Sequence, residues 1–146
     1  MMDEEYMALA IMEAVEAAKE DEVPVGAVIV RDGKVIAKAH NTRERDKNAL
    51  YHAEIKAINQ ACADLGGWRL VGCTMYVTLE PCPMCAGAII NSRIERVVYG
   101  APDNKAGAFG TMINLTDYPL FKPKIESGVL KEECSKMLTE FFKTKR

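Results

Sequence analysis

The sequence predicts an α/β domain in which a mixed sheet carries helices on both faces. Three observations predict it. Apolar residues recur at helical spacing in several stretches, short β-branched runs alternate with those stretches, and an Asp-Gly turn joins the first two runs into a hairpin.

Taken in order, residues 3–20 set Met7, Ala10, Ile11, Ala14, Val15 and Ala18 at helical spacing beneath an acidic outer face. Residues 25–30 and 34–40 are β-rich, and Arg31-Asp32-Gly33-Lys34 turns one into the other. His52 opens a second amphipathic helix carrying Ile55, Ala57, Ile58, Ala61, Cys62 and Leu65, and Gly66-Gly67 closes it. Residues 74–79 form a β-branched strand. A helix over 82–91 follows Pro81, with Pro83 tolerated in its first turn. A short strand at 97–99 leads into a Gly- and Ala-rich loop over 100–110. A weaker strand falls at 124–126, and residues 130–143 make a last amphipathic helix.

Bulk properties narrow the function classes. A length of 146 residues fits one domain, residues 1–146, and 49% hydrophobic with 27% charged residues is ordinary for a folded chain. No run approaches the ~20 apolar residues that span a bilayer. The start, Met1-Met2-Asp3-Glu4-Glu5, is acidic where a secretory signal is basic, so a cytoplasmic protein is expected. Net charge is −2, which advertises no nucleic-acid partner. The basic tail of Lys143, Lys145 and Arg146 reads first as a helix end that complements its dipole, and second as a phosphate contact.

Five cysteines, an odd number, argue against a disulfide framework. Cys62, Cys73 and Cys134 are scattered; Cys82 and Cys85 are close, which favours metal or catalytic use for that pair. Three residues apart at a helix start, their sulfurs point the same way, and the helix dipole favours the thiolates that zinc requires. His52, also at a helix start, supplies a third ligand. Three ligands without an obvious fourth indicate a catalytic zinc with one position open to water rather than a closed structural site. Glu54, two residues after His52, projects differently and can carry a proton from water to a leaving amine. A redox dithiol, or a closed site with His40 as fourth ligand, are the competing readings; His40 reads more simply as a strand-end residue.

His-x-Glu followed by Pro-Cys-x-x-Cys is the signature of zinc-dependent deaminases. Over nearly its whole length the chain resembles the bacterial tRNA-specific adenosine deaminases of the cytidine/deoxycytidylate deaminase superfamily. Glu22-Val23-Pro24-Val25-Gly26-Ala27-Val28, His40-Asn41, Gly67-Trp68-Arg69-Leu70 and Tyr76-Val77-Thr78-Leu79-Glu80-Pro81-Cys82 carry the likeness. Met84-Cys85-Ala86-Gly87-Ala88-Ile89, Ser92-Arg93-Ile94, Glu133-Cys134 and Phe141-Phe142-Lys143 extend it. The resemblance implies a cytidine-deaminase-like three-layer α/β/α sandwich, one Zn2+ per subunit and a homodimer. It implies conversion of the wobble adenosine of a tRNA anticodon stem-loop to inosine. By position, Asn41 and the Ala53 backbone hydrogen-bond the base, while Asp103 and Lys105 meet the flanking RNA. Phe141 and Phe142 fall on the terminal helix near the anticodon loop, or else in the core.

Two departures bear on substrate. The family's usual Pro-Thr-Ala before the zinc histidine is replaced by Ala49-Leu50-Tyr51, and an RNA-contacting Asn-His-Arg-like element is replaced by Leu120-Phe121-Lys122-Pro123-Lys124. Pro102 also stands where a basic residue is common. A deaminase of small-molecule bases or nucleosides (guanine, cytosine or adenosine type) is the alternative.

Overall fold

The computed structural model describes residues 1–145; Arg146, counted above with the basic tail, lies outside them. In chain order the elements are α1 (Asp3–Lys19), β1 (Gly26–Arg31), β2 (Lys34–His40), α2 (Ala53–Leu65), β3 (Cys73–Leu79), α3 (Pro83–Ser92), β4 (Arg96–Ala101), β5 (Lys124–Ser127) and α4 (Lys131–Lys143). The sequence leaves out one short 3-10 turn at Leu115–Asp117, which is too brief to show a period.

The sheet order is β2-β1-β3-β4-β5. β1 pairs antiparallel with β2 and β3, while β3–β4 and β4–β5 are parallel, so the sheet is mixed as expected. Asp32 and Gly33 both take positive φ (51° and 74°), the backbone of a tight hairpin turn whose twist matches that of the strands it joins.

Strand periodicity divides the core in two. On one face Ala27, Ile29, Met75, Val77 and Val97 pack beneath α2 and α3, against Ala57, Ala61, Ala86 and Ile89. On the other, Val28, Val30, Tyr76 and Val98 pack beneath α1 and α4, against Met7, Ala10 and Cys134. The chain is thus a three-layer α/β/α sandwich. Each large side chain fully buried here, such as Ile29, Met75 or Ile89, contributes about 1.5–3 kcal/mol of transfer free energy.

α1 rides unusually close to the sheet. Beyond Met7 its inner face is small (Ala10, Ala14 and Ala17, all fully buried), and Gly26 lies directly under it. A Cβ at Gly26 would fall 2.0 Å from the Ala10 carbonyl oxygen, so no larger residue fits. Both α2 and α3 begin at the end of the sheet where β2 and β3 finish. In sheets with parallel strands this is the end at which binding sites form.

Candidate metal centre and active site

His52 and Cys82 are the N-caps of α2 and α3. Their backbones are extended (ψ 154° and 172°), and their carbonyls accept the first helical bonds from Lys56 N (3.2 Å) and Ala86 N (2.8 Å). The third helix therefore starts one residue later than the pattern suggested. Pro83 takes its first position, where a missing N–H costs nothing. Cys85, one turn further on, comes back to the same side as Cys82.

Cys82 Sγ stands 3.7 Å and Cys85 Sγ 3.5 Å from His52 Nδ1. The three donor atoms lie within 4.8 Å of one another, and no other such cluster of three forms among the described residues. With Zn–S near 2.3 Å and Zn–N near 2.0 Å, neighbouring sulfur and nitrogen ligands of a tetrahedral ion stand roughly 3.5–3.6 Å apart. The donor set and its spacing fit zinc. His40 stands elsewhere: its Nδ1 lies 3.0 Å from Glu13 and its Nε2 2.8 Å from Glu20, tying α1 to the end of β2.

The three donors perturb one another. The hydrogen bond from Cys85, aided by His52, brings the Cys82 thiol down to about 4. That same bond, together with burial, pushes the Cys85 thiol up. The bond to the Cys82 sulfur raises the His52 imidazole. Glu54, in the first turn of α2, is 3% exposed, and burial pushes its carboxyl up to about 7.

His52, Glu54 and Cys82 face a pocket of about 150 Å³. That is well below the roughly 300–1,000 Å³ of sites for drug-sized molecules, and it suits a single ring system. Val23, Asn41, Arg43, Glu80, Asp103 and Ala106 also line it. Asn41 is buried: its Oδ1 accepts the Ala53 N–H at 2.8 Å and its Nδ2 donates to the Val23 carbonyl at 3.2 Å. Asp103 Oδ1 accepts the N–H groups of Lys105 (2.9 Å) and Ala106 (3.1 Å), so it caps its own turn as well as lining the pocket. Lys105 is exposed and is not among the lining residues. Tyr51 is not among them either; the Lys56 ammonium lies 5.8 Å from its ring centre.

Two wider surfaces adjoin the pocket or its helices. A groove of about 750 Å³ shares Val23, Asn41 and Arg43 with it and extends to Arg45, Phe141 and Lys145. Phe142 is exposed instead. On another side, Arg69 stacks 4.3 Å from the Trp68 ring centre, and Arg93 lies 5.7 Å from both Trp68 and Phe121. Lys122 and Lys124 line the same cleft as Arg69 and Arg93.

Two residues without an assigned role in the sequence reading prove central to the walls. Glu22 and Glu80 are both 2% exposed. Glu22 accepts the Glu44 and Arg45 N–H groups, and Glu80 gathers N–H groups from residues 103–111. For Glu80 the one available signal was an acid between Leu79 and Pro81, which alone indicates burial and not partners; Glu22, in the acidic run Glu20-Asp21-Glu22, carried no such signal.

Fold and site together define a nucleobase-type deaminase, with His-x-Glu and Cys-x-x-Cys brought together at two neighbouring helix starts over a small pocket. The matching family description, MafB19-like deaminase, covers residues 1–146. The tRNA-specific adenosine deaminase of Bacillus subtilis (strain 168) is 53% identical over 99% of this chain and 91% of its own. A structure solved in studies of A-to-I editing by tRNA:A34 deaminases at the wobble position superposes with a TM-score of 0.89 at 44% identity, covering 92% of this chain and 99% of that one. A guanine deaminase structure from Bacillus subtilis gives 0.67 at 33% identity, over 77% and 83%. The chain belongs to the family of tRNA-specific adenosine deaminases.

Proposed function

We propose that this protein hydrolyses the wobble adenosine of a tRNA anticodon stem-loop to inosine, at one zinc ion per subunit held by His52, Cys82 and Cys85. The carrying observation is the convergence of those three donors with the buried Glu54 in one small pocket, in a chain 53% identical to a tRNA-specific adenosine deaminase. When bound, the zinc supplies Lewis-acid activation of water near neutral pH.

The chain's own residues do the rest. Water adds to C6 of the adenine, and Glu54 takes a proton from it onto a carboxylate oxygen. Glu54 gives that proton to N1 of the base, then takes the proton of the new C6 hydroxyl and passes it to the 6-amino group, which leaves as ammonia as the C6 carbonyl of inosine forms. A carboxylate in this place can accept and release a proton in turn. Asn41 and the Ala53 N–H hold the edge of the base. Their mutual bond of 2.8 Å keeps both groups in place until a base re-partners them.

The target base enters the pocket extruded from its strand. Asp103 and Lys105 meet the flanking nucleotides, and the Arg43–Phe141 groove continues their path. Arg69, Arg93, Lys122 and Lys124, with Trp68 and Phe121 among them, offer cations for phosphates and rings for stacking. A homodimer is supported by an apolar hollow on the outer side of α3, between Ile90 and Leu115, where Tyr118 and Leu120 are 54% and 45% exposed. No helix among the described residues is long and apolar enough to cross a membrane. A tRNA substrate supports a cytoplasmic location.

The test is incubation of the zinc-loaded protein with an adenosine-34 arginine tRNA stem-loop, beside adenosine, cytidine, guanine and cytosine, with Glu54→Ala as blank. Nucleoside mass spectrometry reads the products. Inosine at the wobble position, absent from the blank, is the expected result. An inert stem-loop beside a deaminated free base would transfer the chemistry to a small molecule, the second reading, which the likeness to guanine deaminase favours.

A further inference from the structure

We propose that Glu80 is a positioning residue, whose carboxylate holds the 103–111 loop in place as part of the pocket lining. Glu80 follows the last residue of β3 and precedes Cys82 by two positions, yet it is not part of the metal-binding cluster. Its Oε1 accepts the Asp103 N–H (3.1 Å) and the Thr111 hydroxyl, and its Oε2 accepts the Phe109 N–H (3.0 Å) and the Thr111 N–H (3.2 Å). All four donors come from one loop.

The chemistry of this arrangement requires a carboxylate. An ionised carboxylate offers about four acceptor sites and no donor, which matches four donors and nothing else. A glutamine in its place would aim an NH2 at two of them. Among the described residues no lysine or arginine pairs with Glu80, so donors from the loop alone compensate a charge that is 2% exposed. The fit is close: a Cβ at Gly107 would fall 2.5 Å from the Glu80 carboxyl carbon. Pro81 adds a second tie by accepting the Ala108 N–H at 2.9 Å. The segment that delivers Cys82 to the cluster therefore also delivers Asp103 and Ala106 to the wall, with both referenced to the same few atoms.

This inference rests on the reading of the pocket as the base-binding site. The test compares wild type with Glu80→Gln, Thr111→Val, which removes one of the four donors, and Gly107→Ala, whose Cβ would press on both the Glu80 carboxyl and the Asp103 carbonyl. Zinc content, amide exchange, KM and kcat are measured. Wild-type turnover of the stem-loop decides the functional reading by itself, and KM is compared on whichever stem-loop, base or nucleoside the wild type converts. Expected in all three variants are undiminished zinc per chain, exchange at the Phe109 and Thr111 amides faster by about ten-fold or more, KM raised about ten- to a hundred-fold, and kcat within about three-fold. Faster exchange with KM unchanged would overturn the proposal, since the carboxylate would then serve only local folding. Zinc loss with a parallel fall in kcat would overturn it in favour of an effect on the ligands. If Glu80→Gln does not fold, Gly107→Ala and Thr111→Val carry the same comparison.

Discussion

Cys85 Sγ lies 3.5 Å from Nδ1 of His52, a residue 33 positions earlier that caps a different helix. The two meet because α2 and α3 lie side by side on one face of the sheet, with Ala57, Ala61, Ala86 and Ile89 packed between them and the strands. A metal bound there joins the two helices, so binding and folding are coupled.

Cys85→Ala should therefore remove both zinc and turnover. We expect less than about 1% of wild-type activity, since water activation depends on the ion, together with a metal content near zero by elemental analysis. Full zinc occupancy in this variant would displace Cys85 from the ligand set.

Glu54→Ala should separate the roles. Zinc should stay bound, KM should change little, and kcat should fall by about 10²–10⁴-fold, the usual contribution of a positioned acid–base group. Single-turnover kinetics with metal analysis on the same sample checks it, and loss of the metal would make Glu54 structural.

Asn41→Ala removes an acceptor and a donor that bridge two segments. The Ala53 N–H and the Val23 carbonyl lose their partner, at a cost of about 1–3 kcal/mol for a group left unpaired in the interior. A lower thermal midpoint and a raised KM should appear together. An unchanged KM would confine Asn41 to holding the loop.

Acid should weaken the anchor of α1. Arg96 bonds Asp3 at 2.6 Å and Glu126 at 2.5 Å, and the Tyr76 hydroxyl donates to Asp3 at 2.7 Å. The Arg96 hydrogen bond holds both carboxyls below their ordinary values of 3.8 and 4.5. Depressed folded values mean that this stabilisation is fully present above the ordinary values and is lost as pH falls through the folded ones. The groups are partly exposed, so Arg96→Met should cost about 1–2 kcal/mol at neutral pH. The difference from wild type should shrink below about pH 4 in denaturant titrations. A constant difference down to pH 2 would show that packing, not charge, is lost.

Lys122→Ala with Lys124→Ala should weaken stem-loop binding and flatten its salt dependence by roughly one unit of slope per phosphate contact removed. Binding curves at several salt concentrations measure it. An unchanged slope would remove these lysines from the RNA path.

Much of this was legible in the chain. Apolar spacing determined α1, α2 and α4, the Asp32-Gly33 turn determined the β1–β2 hairpin, and the residue types and short spacing of His52, Cys82 and Cys85 pointed to the cluster that the fold assembles. These are local properties, set by periodicities of 3.6 and 2 and by helix starts that span a few residues. Only the tertiary structure decided that β1 lies between β2 and β3, and that His40 is spent on Glu13 and Glu20 rather than on metal. It alone showed that Asn41 accepts the Ala53 N–H, and that Glu22 and Glu80 accept N–H groups of Arg45 and Phe109. Those partners stand 12 or more residues apart. Their pairing follows from strand order and layer packing, because a buried carboxylate or amide takes whichever donors the fold brings within 3 Å, and no local pattern specifies which those are.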